Sequence, residues 1–220
     1  MKVAGKTLVV TGAGSGIGRA VTLEAVRRGA RVAAVDLNPA TLAETAHQVV
    51  APQMLSAHEL DLTDRAAVEA LPGAVVERWA AVDGVIHCAG TFGHEAALQL
   101  ATTFHPVLRH RSEAHLVDIS RTGSAAPGAA KADAKQLTES LRTEFAGTSV
   151  RVTVVFAGDL TGSSADPAEQ AYRAAQDILD GMERNAARVL IGSSVRLMNP
   201  LHPRRIAAKL RELTGQTAPS

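Results

Sequence analysis

Short apolar runs alternate along this chain with longer segments in which apolar residues recur every three or four positions. The apolar runs are 8–10, 31–36, 55–60, 84–88, 115–119, 151–155 and 188–191. The periodic segments are 17–28, 39–50, 64–79, 95–108, 129–145, one that opens at 166–167, and 203–213. Runs of the first kind are typical of buried strands and segments of the second kind of amphipathic helices. Because strands and helices alternate, the pattern predicts a parallel sheet covered by helices on both faces.

Capping residues and helix breakers support these boundaries. Gly29 is a natural stop for the first helix, and Asn38-Pro39 supplies an N-cap and a first-turn proline for the second. Thr63 or Asp64 can cap the third helix through its side-chain oxygen. Pro72-Gly73 predicts an interruption inside that third helix, because proline lacks the N–H that the helix needs.

Length and composition predict a single domain. The chain has 220 residues, of which 46% are hydrophobic, enough to bury one full core. No low-complexity linker divides it. We therefore expect an α/β fold, a single-domain Rossmann-type doubly wound parallel sheet over residues 1–215, followed by a flexible tail at 216–220.

Charge and cysteine content narrow the range of partners and compartments. The 23 basic and 22 acidic residues produce no sustained field, which argues against nucleic acid and anionic membranes as partners. No run has the length of a transmembrane helix, and no apolar signal segment precedes the first strand, so we expect a cytoplasmic protein. The single Cys88 excludes an internal disulfide framework and does not support a metal cluster. The predicted partners are small molecules or protein.

The stretch from Thr7 to Arg19 predicts a phosphate-binding turn. A buried strand ends in closely spaced glycines, and a helix begins immediately after them. Glycines allow the main chain to approach a pyrophosphate, and a helix N-terminus offers free N–H groups to an anion. The residues predicted to hold the dinucleotide here are Gly12, Ser15, Gly16, Ile17 and Gly18.

The second strand ends in a carboxylate, Asp36, followed by Leu37. In a βαβ unit of this kind, an acid at that point accepts hydrogen bonds from the adenosine ribose and repels a 2′-phosphate. The predicted cofactor is therefore NAD rather than NADP.

The spacing Thr11-Gly-x-x-x-Gly-x-Gly18 resembles that of the short-chain dehydrogenase/reductase family. Asp61-Leu62 is similar to the family's adenine-contacting pair after the third strand. His87-Cys88-Ala89-Gly90 occupies the place of its Asn-Asn-Ala-Gly motif, so Ala89 and Gly90 are predicted cofactor contacts. Lys135 is similar to the family's active-site lysine, which binds the nicotinamide ribose. The resemblance thus implies a nicotinamide dinucleotide bound at the carboxyl ends of the strands.

The catalytic half of that pattern is altered. The family's hydride transfer uses a tetrad of Asn, Ser, Tyr and Lys in which the tyrosine handles the proton, yet its Tyr-x-x-x-Lys motif reads Lys131-Ala-Asp-Ala-Lys135 here. The only tyrosine in the chain is Tyr172, in the region that usually forms a substrate lid. Either Ser120 or Arg121 takes the place of the reactive serine. A shortened connection after Gly90 removes the asparagine.

These departures leave three functional hypotheses. The leading one is an NAD-binding relative that has lost ordinary carbonyl–alcohol oxidoreduction and was repurposed for another step on a small organic substrate. A second is a non-catalytic NAD-binding structural or sensor module that acts through a protein partner, and an altered homo-oligomer interface accompanies it. A third is a dehydrogenase with substituted groups, for which Ser120, Lys131 and Lys135 are the candidate catalytic residues.

Overall fold

The computed structural model describes residues 1–88, 93–121, 136, 139–158 and 166–192, with the main chain alone at 93–95 and 121. The strands are β1 (Thr7–Thr11), β2 (Arg31–Asp36), β3 (Leu55–Glu59), β4 (Gly84–His87), β5 (Ala114–Arg121), β6 (Val150–Ala157) and β7 (Arg188–Ile191). The helices are α1 (Gly16–Arg27), α2 (Pro39–Gln48), α3 (Arg65–Trp79), α4 (Gly93–Leu108) and α5 (Pro167–Glu183). Residues 139–144 are also helical, inside the predicted helix 129–145.

The seven strands form one sheet in the order β3-β2-β1-β4-β5-β6-β7. Every neighbouring pair is parallel, which confirms the predicted α/β doubly wound fold. The chain proceeds outward from β1 to β3 and then returns to place β4 on the other side of β1. In sheets of this kind the reversal opens a crevice at the carboxyl ends of the strands, where ligands bind.

Helices cover both faces of the sheet because successive strand residues point to opposite sides. Val10 and Ile86 lie in the core that α1, α2 and α5 cover. Their neighbours Val9 and Val85 lie in the second core, together with the fully buried Phe104 of α4. The glycine turn that follows β1 is thus carried on a strand that is buried on both faces.

Side-chain caps begin three helices where the sequence predicts them. The carboxylates of Asp64 and Asp166 and the amide oxygen of Asn38 accept hydrogen bonds from first-turn N–H groups of α3, α5 and α2. The interruption predicted at Pro72-Gly73 is wrong, because α3 continues through it. Pro72 is itself buried with Val75 against the core, and this packing offsets the hydrogen bond that proline cannot make.

Among the helices of the described ranges, none is long and apolar enough to cross a membrane. The predicted helix at 203–213 and the tail at 216–220 lie outside those ranges.

Candidate dinucleotide-binding site

The glycine turn joins β1 to α1 at the crevice, and it requires glycine for two different reasons. Gly12 and Gly16 have φ values of 66° and 51°, in the left-handed region that favours glycine. At Gly18 the constraint is space, since a Cβ there would overlap the Gly12 carbonyl group. The main chain of the turn therefore packs directly against the first turn of α1, where the sequence predicts the pyrophosphate.

The first turn of α1 has N–H groups to offer an anion. Ser15 precedes the helix in an extended conformation, and its side chain makes no capping hydrogen bond within the described part of the chain. Ser15 and Gly16 are exposed, whereas Ile17 packs partly against the core. A helix N-terminus without a capping side chain is a suitable phosphate site.

Asp36 ends β2 beside this turn, and main-chain donors hold both of its carboxylate oxygens. The Gly14 N–H donates to Asp36 Oδ2 at 2.8 Å, and the Asn38 N–H donates to Oδ1 at 3.0 Å. The next residue, Leu37, is 57% exposed. The carboxylate therefore has a fixed position at the edge of the crevice, next to an apolar surface.

The end of β3 extends the crevice towards the predicted adenine position. The Leu60 N–H donates to the Asp36 carbonyl at 3.0 Å, which joins the ends of β3 and β2. Asp61 Oδ1 accepts hydrogen bonds from the main chain and the hydroxyl of Thr63, both at 2.8 Å. These bonds lower the pKa of the Asp61 carboxyl, so it stays ionised. Leu62 is buried behind it.

The end of β4 contacts β1 through polar side chains. Thr11 Oγ1 lies 2.8 Å from His87 Nδ1 and also accepts a hydrogen bond from the Cys88 N–H at 3.3 Å. Burial lowers the pKa of His87 to about 4, so the ring is neutral at physiological pH. Burial and the Asp118 carboxylate raise the pKa of the Cys88 thiol, so it is not a reactive thiolate. His87, at the place of the first asparagine of the family's Asn-Asn-Ala-Gly motif, thus has a structural hydrogen bond.

Of the candidate catalytic residues, the structure describes Ser120 alone. It is half-buried near the carboxyl end of β5 and pairs in register with Phe156. The main chain of Arg121 pairs with Ala157. Lys131 and Lys135, together with the predicted cofactor contacts Ala89 and Gly90, lie outside the described residues.

The chain's only tyrosine lies away from the glycine turn. Tyr172 is on α5 and 40% exposed, and it interacts with Arg27 in the last turn of α1. Glu24, and to a lesser extent Tyr172, raise the pKa of the Arg27 guanidinium. At 1.5 Å per residue, Arg27 lies about 16 Å along the helix axis from Gly16. That Tyr172 belongs to a substrate lid stays a prediction.

Sequence reasoning counted Gly14 among the glycines of the turn but did not predict its contact with Asp36, and it missed Arg19. The Gly14 N–H holds Asp36, and the Arg19 guanidinium donates to the Gly14 carbonyl. A Cβ on Gly14 would lie 2.9 Å from Asp36 Cγ, so this glycine leaves room for the carboxylate. The sequence did contain an indication, because Gly14 is a glycine at a position that the spacing Thr11-Gly-x-x-x-Gly-x-Gly18 leaves open to any residue.

Comparisons with known proteins identify the family of this chain. The family model of short chain dehydrogenases matches residues 6–110. The chain is 31% identical to 2-(R)-hydroxypropyl-CoM dehydrogenase of Xanthobacter autotrophicus over 185 residues, which cover 70% of this chain and 74% of that protein. The chain belongs to the short-chain dehydrogenase family. Its match to sorbitol dehydrogenase of Cereibacter sphaeroides is 36% identical over 92 residues, 42% of this chain and 35% of that protein's length.

Two further comparisons bear on the cofactor and the fold. The NADP-dependent 3-hydroxy acid dehydrogenase YdfG of Escherichia coli K12 is 26% identical over 183 residues, 71% of this chain and 73% of its own. The structure of a short-chain dehydrogenase from Streptomyces avermitilis superimposes with a TM-score of 0.72 at 23% identity, covering 96% of this chain and 97% of that one. Members of the family bind nicotinamide cofactors, and the name of the Escherichia coli relative specifies NADP.

Proposed function

We propose that this member of the family binds NAD(H) in preference to NADP(H) and does not carry out tyrosine-dependent oxidoreduction of carbonyls and alcohols. One contrast carries the proposal. The described nucleotide half has a glycine turn, a helix N-terminus and a fixed acid, whereas the chain's single phenol, Tyr172, interacts with the opposite end of α1.

The described residues fit a dinucleotide. Because Gly18 has no Cβ, the turn packs close to the helix N-terminus; a Cβ there would overlap the Gly12 carbonyl group. A turn packed in this way against a helix N-terminus suits a pyrophosphate. Gly12, Ser15, Gly16, Ile17 and Gly18 would hold the pyrophosphate, Asp36 and Leu37 the adenosine ribose, and Asp61 and Leu62 the adenine. When bound, the nicotinamide ring supplies hydride chemistry.

The preference for NAD rests on Asp36. Its two oxygens are held by the main chain of Gly14 and Asn38, so the carboxylate cannot turn away without losing both hydrogen bonds. A ribose diol can donate to such a carboxylate, but a 2′-phosphate would bring a second negative charge against it. The NADP dependence of the Escherichia coli relative makes this residue the point to test.

The proposed loss of ordinary redox activity rests on the missing tyrosine phenol. Hydride transfer to a carbonyl builds negative charge on oxygen, and a positioned acid contributes about 10²- to 10⁴-fold to the rate of such a step. The family's tyrosine position reads Lys131 in this sequence, and Lys131 and Lys135 are the groups left for another step on a small organic substrate.

The test has a binding part and a kinetic part. Titration calorimetry should give a dissociation constant for NADH at least about tenfold below that for NADPH, and Asp36→Asn should narrow the gap. Glu69→Gln, which likewise replaces a carboxylate by its amide but at an exposed residue of α3, is the control. Incubation of the protein with NADH and a panel of ketones and aldehydes should then leave the nicotinamide absorbance unchanged. Preference for NADPH, or rapid oxidation of NADH, would contradict the respective half of the proposal.

A further inference from the structure

Hydrogen bonds hold both main-chain polar groups of Gly14. Its N–H donates to Asp36 Oδ2 at 2.8 Å, and its carbonyl accepts a hydrogen bond from the Arg19 Nη2 group. The two groups belong to the peptide units that meet at the Gly14 Cα, so the bond to the carbonyl restrains the backbone angles that direct the N–H group towards Asp36. That donor belongs to α1, five residues further along the chain.

Arg19 also binds α2. Its Nη2 group donates to the Thr41 carbonyl at 3.2 Å and to Glu44 Oε2 at 2.8 Å, while its Nε group donates to Thr45 Oγ1 at 3.0 Å. The Thr45 hydroxyl in turn donates to the Ala13 carbonyl at 2.9 Å. A single guanidinium thus joins the glycine turn to residues 41–45 of α2. A lysine ammonium has one nitrogen and cannot reproduce this planar set of donors.

The N-terminus of α2 supplies the other restraint on the carboxylate. The N–H of Asn38, the N-cap residue of α2, donates to Asp36 Oδ1 at 3.0 Å. Asp36 is therefore held between two main-chain donors, one in the glycine turn and one at the start of α2. Arg19 binds both of these segments, and its side chain is only 24% exposed.

We propose that Arg19 is a positioning residue for cofactor discrimination: it holds the turn and α2 at the separation that fixes the Asp36 carboxylate towards the ribose. This inference rests on the proposed preference for NAD. Arg19 acts through Asp36 and does not itself need to contact the dinucleotide.

A single substitution of Arg19 would change both its hydrogen bonds and the local charge, so its effect on cofactor preference could not be assigned to either. Removal of the guanidinium alone would leave Glu44 unpaired, and the added negative charge would itself repel a 2′-phosphate. The double variant Arg19→Met/Glu44→Gln removes the ion pair at constant net charge. Arg65→Met/Glu69→Gln makes the same two substitutions in an exposed ion pair within α3, with its charged atoms 2.7 Å apart, and is the matched control.

Calorimetric titrations with NADH and NADPH measure the ratio of their dissociation constants for each variant. We expect Arg19→Met/Glu44→Gln to lower the NADPH:NADH ratio by about fivefold or more, chiefly by weakening NADH, because a charge-assisted hydrogen bond loses its fixed acceptor. The control should keep the wild-type ratio. In an Asp36→Asn background, the same Arg19→Met/Glu44→Gln change should leave the ratio where Asp36→Asn alone puts it.

An unchanged ratio in a folded Arg19→Met/Glu44→Gln protein overturns the inference, as does an equal loss of affinity for both dinucleotides. If that variant does not fold by circular dichroism, Thr45→Val replaces it. This change removes the partner of Arg19 Nε at nearly constant volume and should lower the ratio in the same direction. A wild-type protein without preference for NADH contradicts the proposed function itself, whereas a preference that survives the loss of Arg19 contradicts this inference alone.

Discussion

Two buried histidines should make this fold lose stability as the pH falls from 7.5 to 5. His87 is 3% exposed and His115 is fully buried. Burial lowers the pKa of His87 to about 4. Burial, with the positive charges of the Met1 ammonium and Arg151, lowers the pKa of His115 to about 3. Both rings are therefore neutral in the native protein throughout this range.

The direction of this change in stability follows from which state, folded or unfolded, binds the protons. A histidine in the unfolded chain takes up a proton below a pKa of about 6.5, whereas these two rings in the folded chain do not. The unfolded state therefore gains stability from about pH 6.5 down to the folded pKa values near 4 and 3. At 1.36 kcal/mol per pH unit, each histidine costs about 2 kcal/mol of folding free energy by pH 5, and the two together about 4 kcal/mol.

Urea unfolding at pH 7.5, 6 and 5, followed by the fluorescence of the single Trp79, measures this loss. The double variant His87→Asn/His115→Gln keeps side-chain amides near the Thr11 and Thr153 hydroxyls that the histidines contact, but it does not titrate. Between pH 7.5 and 5, the wild type should lose about 4 kcal/mol more than this variant. His47→Gln, at an exposed position, is the control. An acid loss of equal size in the wild type and the double variant would refute the reasoning.

Three further substitutions test other parts of the fold, each by urea denaturation. Gly18→Ala places a Cβ against the main chain of the glycine turn, so we expect a loss of about 3 kcal/mol and of dinucleotide binding; normal binding would contradict this. Ala80→Gly should stabilise the protein by about 0.5–1 kcal/mol, because Ala80 ends α3 with a φ of 65°; a loss would argue against that backbone conformation. Arg111→Met removes two donors, both 2.8 Å from the buried Asp83 carboxylate, and should cost about 2 kcal/mol; an unchanged midpoint would show that the remaining partners suffice.

The succession of elements and the position of the glycine turn between β1 and α1 were predictable from the sequence. These features depend on residues that are near one another in the chain: the periods of strands and helices, the N-cap residues and the positions of glycines. They can therefore be recognised without knowledge of the tertiary structure. For this reason β2 and β7 have the predicted bounds, and Asp36 lies at the end of a strand beside the glycine turn. Local rules failed at Pro72, where packing against the core keeps α3 continuous.

The tertiary structure alone decided which distant residues meet. The return of β4 to the side of β1 brings His87 to Thr11 across 76 residues, and the packing of α5 beside α1 places Tyr172 against Arg27. Arg19 reads in the sequence as one more polar residue of an amphipathic helix, and its bonds to the glycine turn and α2 depend on how three segments pack. Such contacts arise from the arrangement of the whole sheet and its helices, which no local window of residues specifies.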